Sequence, residues 1–234
     1  MSSEADNVRS VAVTIRPMEG RDLPLAASLH LEHLPHGFFP SLGPRFMRRY
    51  LGTFRDPSTS VALIGEHNGA AVGFLVGILD EPGHYRQVLR RRGFGLGASG
   101  LGALVVRPKV AWRFVRTRLR RYVVGAFRLG RRAPVPPAAD RPSSPTPDRP
   151  APRALPVLSH VVVAEDGRGS GVGAALVGAF TDAARAVGAP GARLLTMSGA
   201  DGAAGFYERL GWHPTAEFVD ADGVTWTRLE IELP

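Results

Sequence analysis

The stretch Val161-Val162-Val163-Ala164-Glu165-Asp166-Gly167-Arg168-Gly169-Ser170-Gly171-Val172-Gly173-Ala174 decides how the chain folds. Three β-branched residues in a row read as the end of a strand over residues 157–164, and a glycine-rich turn follows at once. From Val172 onward, Leu176, Phe180, Ala184 and Val187 recur at helical spacing until Gly188 and Pro190 end the helix. A strand that runs through glycines into a helix offers bare backbone N–H groups and a positive helix end to an anion. Glycine also permits positive φ and close approach of a ligand to the main chain. Residues 168–173 therefore read as a phosphate cradle, with a plain tight turn as the structural alternative. The chain has 28 glycines, and Arg90-Arg91-Arg92-Gly93-Phe94-Gly95 repeats the same R-x-x-G-x-G form. Only the copy at Arg168 follows a β-branched strand and opens an amphipathic helix.

Working outward, residues 193–197 read as a strand and residues 201–210 as a short helix stopped by Gly211. Residues 215–219 and 225–233 flank Asp220-Ala221-Asp222-Gly223 as a hairpin. Toward the N-terminus, Val11, Val13 and Ile15 alternate along a strand, and a helix follows Asp22 with Leu23, Ala27, Leu31 and Leu34 on one face. A loop over residues 35–40 ends it. Ser41 is expected to cap a second helix carrying Leu42, Phe46, Tyr50 and Phe54. Two apolar runs, residues 60–66 and 71–79, are joined by an Asn68-Gly69 turn, a strong hairpin signal. The order is β-α-α-β-β, an insertion, then β-α-β-α-β-β: an α/β chain with a mixed sheet and helices on both faces.

The insertion is where the charge sits. The 234-residue chain has a formal charge of +8, yet residues 84–132 hold 14 Arg or Lys and no acid, so the rest sums to 8 − 14 = −6. Residues 133–156 follow with nine prolines in 24 positions, the composition of an extended linker. The expected divisions are thus 1–81 and 157–234 as the two parts of one body, 82–132 as a basic helical insertion and 133–156 as the linker. Within the insertion, residues 108–129 form a basic amphipathic pattern, with Ala111, Val115, Leu119, Tyr122 and Ala126 along one stripe. Three readings compete for it: a helical lid with a solvated Arg face, a peripheral site for anionic lipid, and a polyanion site such as RNA, the least favoured. The uncharged run 93–106 is shorter than the ~20 residues a membrane span needs. There is no cysteine, which excludes disulfides, thiolate catalysis and Cys-ligated metals. The polar N-terminus lacks a signal-peptide core, so a cytoplasmic location is expected.

A second motif, Ala203-Ala204-Gly205-Phe206-Tyr207-Glu208-Arg209-Leu210-Gly211-Trp212, completes a pattern. The two motifs together resemble the GNAT superfamily of acetyl-CoA-dependent N-acetyltransferases, with R-x-x-G-x-G opening one helix and A-x-x-F-Y-x-x-x-G-F on and after the next. Trp212 stands where the family usually has Phe, and Ala200 where it often has Asn. The resemblance covers residues 11–81 and 157–233 and stops at the insertion. It implies the GNAT acyl-CoA N-acyltransferase fold and acetyl-CoA as acyl donor, with no metal. It further implies that main-chain groups of Arg168, Gly169, Ser170, Gly171, Val172, Gly173 and Ala174 hold the CoA pyrophosphate, and that the strand edge at Val161, Val162 and Val163 pairs with pantetheine. Tyr207 falls where the family often protonates the departing thiolate, a role that suits a phenol of pKa ~10; the alternative is a packed aromatic.

The resemblance implies a primary amine acceptor, small molecule or protein, attacked directly in a ternary complex. Its base is sought at Ser159 or His160, which strand alternation sends to opposite faces. Histidine suits that chemistry, but a strand histidine among valines is equally a core residue. Glu32, His33, His36 and Phe38 border the loop that shapes the acceptor pocket in this family. His30, His33 and His36 have a metal-like spacing, broken by Pro35 and Gly37. A different class remains beside the enzyme: a binding protein that keeps the fold and docks to membrane or nucleic acid through its arginines.

Overall fold

The computed structural model describes residues 12–34, 38–92, 154–199, 202–220 and 223–234. The basic stretch beyond Arg92, the proline-rich linker up to residue 153, His36 and Ala200 lie outside the described residues, and with them the three readings of the insertion.

Among the described residues seven strands form one sheet in the order β1-β2-β3-β4-β5-β7-β6. They are β1 (Val13–Pro17), β2 (Ser60–His67), β3 (Ala70–Ile78), β4 (Val157–Val163), β5 (Gly191–Met197), β6 (His213–Val219) and β7 (Thr225–Glu232). Every neighbouring pair is antiparallel except β4 and β5. The Asn68-Gly69 turn between β2 and β3 has φ of 52° and 80°, the left-handed pair a two-residue hairpin requires. The ends of β3 and β4 meet at Ile78 and Val157, so residues 79–156 close as the loop between two adjacent strands.

Helices cover the two faces. On one lie α1 (Leu23–His33), the short α2 (Phe38–Ser41) and α3 (Pro44–Leu51), packed on Ile64, Phe74, Val76 and Val162. The expected helix capped by Ser41 is broken: Gly43, at φ 88°, is the residue before α3, and Pro44 sets its first turn. Past Leu51 the chain tightens to a 3-10 turn, Gly52–Arg55. Next come α4 (Glu81–Gln87) and a π turn, Val88–Arg92. The body therefore continues past Glu81: His84 is buried against Phe54, its Nδ1 2.9 Å from Ser60 Oγ, and Glu81 pairs with Arg193 at 2.9 Å.

On the other face α5 (Val172–Ala186) packs with α6 (Ala204–Glu208) over Leu75, Leu158, Leu194 and Leu229. Two glycines let α5 lie close. A Cβ at Gly65 would collide with Val172, and one at Gly77 with the Phe180 ring. The start of α1 is held by charge: Arg16 on β1 makes a bidentate pair with Asp22 (2.7 and 2.9 Å) and reaches Glu66 on β2 at 2.7 Å. Asp22 also accepts the Glu19 N–H at 2.7 Å, and these contacts, led by the Arg16 bond, hold its carboxyl below the usual range. No described helix is long and apolar enough to cross a membrane.

Gly77→Val is expected to push Phe180 and α5 off the sheet and to cost about 1–3 kcal/mol, the usual penalty for overpacking. Urea unfolding followed by far-UV circular dichroism checks this; an unchanged midpoint would show that the helix does not need the space.

Candidate active site

The sheet opens in its middle. β4 and β5 pair only at Val157–Arg193 and Leu158–Leu194, then diverge. From Ser159 to Val163, β4 is paired to β3 alone. Its other edge carries main-chain groups without a strand partner among the described residues, the geometry an extended amide ligand completes by strand addition. A bulge marks the point of divergence: Val76 faces His160 and Gly77 faces Leu158, so Ser159 is the extra residue. The bulge resets alternation, placing His160 on the α1/α3 face and Val161 and Val163 on the α5 face.

Where β4 ends, a 3-10 turn (Glu165–Gly167) leads into the glycine loop. Gly169 (φ 76°) and Gly171 (φ 87°) are both left-handed, and a Cβ on either would meet nothing within 4 Å. The loop is thus open on its outer side. Gly171 precedes the first turn of α5, whose Gly173 and Ala174 N–H groups have no backbone acceptor among the described residues. Ser170 Oγ turns inward and donates to the Gly167 carbonyl at 2.6 Å. Open backbone donors at a helix N-terminus beside an unpaired strand edge fit a pyrophosphate with an amide-bearing arm, so the donor set suits CoA. Among the described residues no group of three or more His, Cys, Asp or Glu is placed to hold a metal.

The two motifs meet in space. A Cβ on Gly173 would lie 3.4 Å from the Phe206 ring, and Phe206 stands edge-on to Tyr207 at 5.1 Å. Tyr207 is buried in the cluster that includes Leu158, Val161, Val163 and Leu194, the residues around the opening. Burial raises its phenol above the ordinary value, so it stays protonated. Trp212 is fully buried 6.1 Å from Tyr207, with its indole Nε1 lacking a partner; the ring serves packing. The turn into α6 is tied to β5 by the Ala203 N–H, which donates to Thr196 Oγ1 at 3.0 Å.

On the opposite face of the opening lies an aromatic wall. The Tyr50 hydroxyl is 3.2 Å from His160 Nε2, and the His30 ring stands edge-on to His160 with centroids 4.7 Å apart. Burial lowers His160 to about 3, with His30 adding to the effect, and lowers His30 to about 4. Both imidazoles are neutral at working pH. His160 is thus a weak proton acceptor, held in a fixed orientation by Tyr50. His30 is 3% exposed, and neither ring nitrogen has a hydrogen-bond partner. In the sequence Tyr50 reads as a core residue and His30 as one of a histidine series. Nothing local signals their meeting with a strand more than a hundred positions away.

The end of α1 approaches the glycine loop: Arg168 Nη2 is 3.4 Å from His33 Nδ1, and Arg168 also lies 3.8 Å from Glu165. Glu32 is exposed at the end of α1, and Phe38 opens α2.

Because the unfolded chain protonates its histidines near pH 6.5 while folded His30 resists until about 4, the unfolded state binds more protons between these values. Stability is complete above pH 6.5 and falls on acidification. For His30 the loss by pH 4 is expected to be at most about 3 kcal/mol. Urea midpoints from pH 7 to 4.5, compared with His30→Gln, check this: the variant should show a shallower fall.

Residues 151–233 match the model of an acetyltransferase (GNAT) domain. Comparison with curated proteins gave no match. Ard1 from Thermoplasma volcanium is similar in structure, with a TM-score of 0.52 at 16% identity over 96% of this chain and 99% of that one. So is yncA from Salmonella typhimurium, solved with its cofactor acetyl-CoA, with a TM-score of 0.52 at 14% identity over 95% of each chain. A GNAT-family acetyltransferase from Streptococcus pneumoniae gives 0.52 at 14% identity over 95% of this chain and 100% of that one. At such identities the likeness is one of fold. The family match takes in the glycine loop and the Phe206-Tyr207 motif, so residues 151–233 are similar to a GNAT acetyltransferase domain, within a chain that has the GNAT fold.

Proposed function

We propose that the chain transfers an acyl group to a primary amine by direct attack, with donor and acceptor bound together. The observation that carries this reading is the divergence of β4 from β5 beside the open glycine loop. Acetyl-CoA, when bound, supplies an activated acyl group. The residues proposed to hold it are Arg168 to Ala174 through their main chain and Val161 to Val163 through the free edge of β4. The acceptor approaches from the α1/α3 face, past His160 and Tyr50, near the α1 end that carries Glu32 and His33.

Within this reading Tyr207 holds a proton at Oη for the departing thiol. Burial raises the phenol above its ordinary value, so Tyr207 is fully protonated and available as a donor, and the same dry surroundings penalise the charged thiolate until it takes up a proton. His160 is neutral and fixed by Tyr50, so it acts by accepting a hydrogen bond from the amine more than by storing its proton. Ser159, the bulge residue, lies where β4 turns away from β5. The dry surroundings themselves favour the uncharged amine that attack requires.

Tyr207→Phe is expected to lower kcat at least about tenfold while leaving CoA affinity within about twofold, as befits a group acting on the proton alone. Free-thiol release and calorimetry measure the two; equal turnover would remove the role. Gly171→Val forces a β-branched residue to φ 87° and is expected to weaken CoA binding about tenfold, from ~1–2 kcal/mol of strain at the loop. Unchanged affinity would show that the loop is not the cradle.

A further inference from the structure

Two neighbouring helices on the α1/α3 side of the sheet present cations to solvent. α3 buries Phe46, Met47 and Leu51 and exposes Arg45, Arg48 and Arg49. Residues 38–55, which include it, hold four arginines and no acid. From α4 into the π turn, Tyr85, Arg86, Leu89 and Arg90 are exposed. Residues four apart are neighbours on a helix surface, so Tyr85 stands beside Leu89 and Arg86 beside Arg90. An apolar file thus runs next to a cationic one, with Tyr85 47% exposed and Leu89 56%. After Glu81 the sequence has no acid until Asp140.

The two files are held in place from the inner side. His84 lies against the Phe54 ring at 4.9 Å, with its Nδ1 2.9 Å from Ser60 Oγ. Thr59 Oγ1 donates to Gln87 Oε1 at 3.1 Å, and Gln87 donates to Asp56. Phe54 belongs to the 3-10 turn that continues α3, so α3 and α4 are fixed side by side. Burial raises the Tyr50 phenol of α3, and the nearby Tyr85 adds to the effect. Of the carboxylates bordering these elements, Asp56 is bonded to Ser58 and Gln87, and Glu81 to Arg193. Asp80 is exposed just before α4. The exposed arginines on α3, α4 and the π turn as far as Arg90 outnumber it five to one.

We propose that α3 and the α4–π turn form a docking surface for an anionic membrane, with Tyr85 and Leu89 entering the headgroup boundary and the arginines of both helices on lipid phosphates and carboxylates. Each cation near an anionic leaflet strengthens partition about fivefold. Tyrosine suits that boundary, because its ring is apolar and its hydroxyl stays wet. RNA uses arginines equally well but gains nothing from an exposed leucine, whereas a bilayer surface takes up both. The surface lies on the side of the sheet where Tyr50 meets His160, so docking turns that side toward lipid.

The test is sedimentation of the full chain with phosphatidylcholine vesicles, with and without about 30% phosphatidylserine, at low and high salt. Partition onto the anionic vesicles is expected to exceed that onto neutral ones at least about tenfold and to fall as salt rises. Arg45→Gln with Arg48→Gln should weaken it at least about tenfold, and Leu89→Glu by a similar factor, with far-UV circular dichroism unchanged. The chain has no cysteine, so Leu89→Cys accepts a single nitrobenzoxadiazole label. Its emission should brighten and shift to the blue on anionic vesicles. The same label through Val187→Cys, 49% exposed at the end of α5 on the opposite face, should not respond. Equal binding to neutral vesicles, no binding to anionic ones, or a Leu89 label that stays in water would each overturn the proposal. So would binding untouched by the substitutions, which places attachment elsewhere in the chain. Binding to poly(U) without binding to vesicles would overturn it in favour of a nucleic-acid surface.

Discussion

The structure depends on one interruption: two parallel strands that pair over two residues and then separate. A parallel ladder is normally buried on both faces and continuous. Here Val157 and Leu158 are paired to Arg193 and Leu194, and the remaining length of β4 is left with β3 alone. What keeps the gap open is packing on each side of it. Leu158 and Leu194 anchor the closed end under α5, Tyr207 and Phe206 fill the α5 face, and His160 with Tyr50 fill the other. The backbone groups on the free edge of β4 are therefore preorganised for an extended ligand.

The glycine loop is positioned by the same packing. Its donors belong to the first turn of α5, and that helix sits at the height set by Gly65 and Gly77 beneath Val172 and Phe180. A residue with a side chain at either glycine would lift the helix, and its N-terminus with it. The Arg16–Asp22–Glu66 cluster does the equivalent work for α1, fixing the start of the helix whose far end carries Glu32 and His33. A bidentate guanidinium–carboxylate pair has one geometry, which makes it a better positioning device than a surface ion pair.

Much of this was legible in the residues. Alternation and the Asn68-Gly69 turn gave β1 to β3, and the spacing Val172, Leu176, Phe180, Ala184 gave α5, because each signal lies within a few positions. The glycine loop and the Phe206-Tyr207 motif likewise announced themselves locally. Three features did not. The break between α2 and α3 depends on Gly43 and Pro44 overriding an apolar periodicity that runs through both. The bulge at Ser159 is a property of the β3–β4 register, so simple alternation counted from Leu158 does not give the face of His160. The meeting of His30, Tyr50 and His160 joins a helix, a second helix and a distant strand.

The register that closes β3 onto β4 also explains how such a chain tolerates the long stretch between them. Ile78 and Val157 are direct partners, so everything from residue 79 to residue 156 begins and ends at one point of the sheet. The entropy of joining two fixed ends grows only with the logarithm of the intervening length, about 0.6 kcal/mol for each doubling. Material can thus accumulate or be lost at that junction almost without thermodynamic consequence for the strands that carry it.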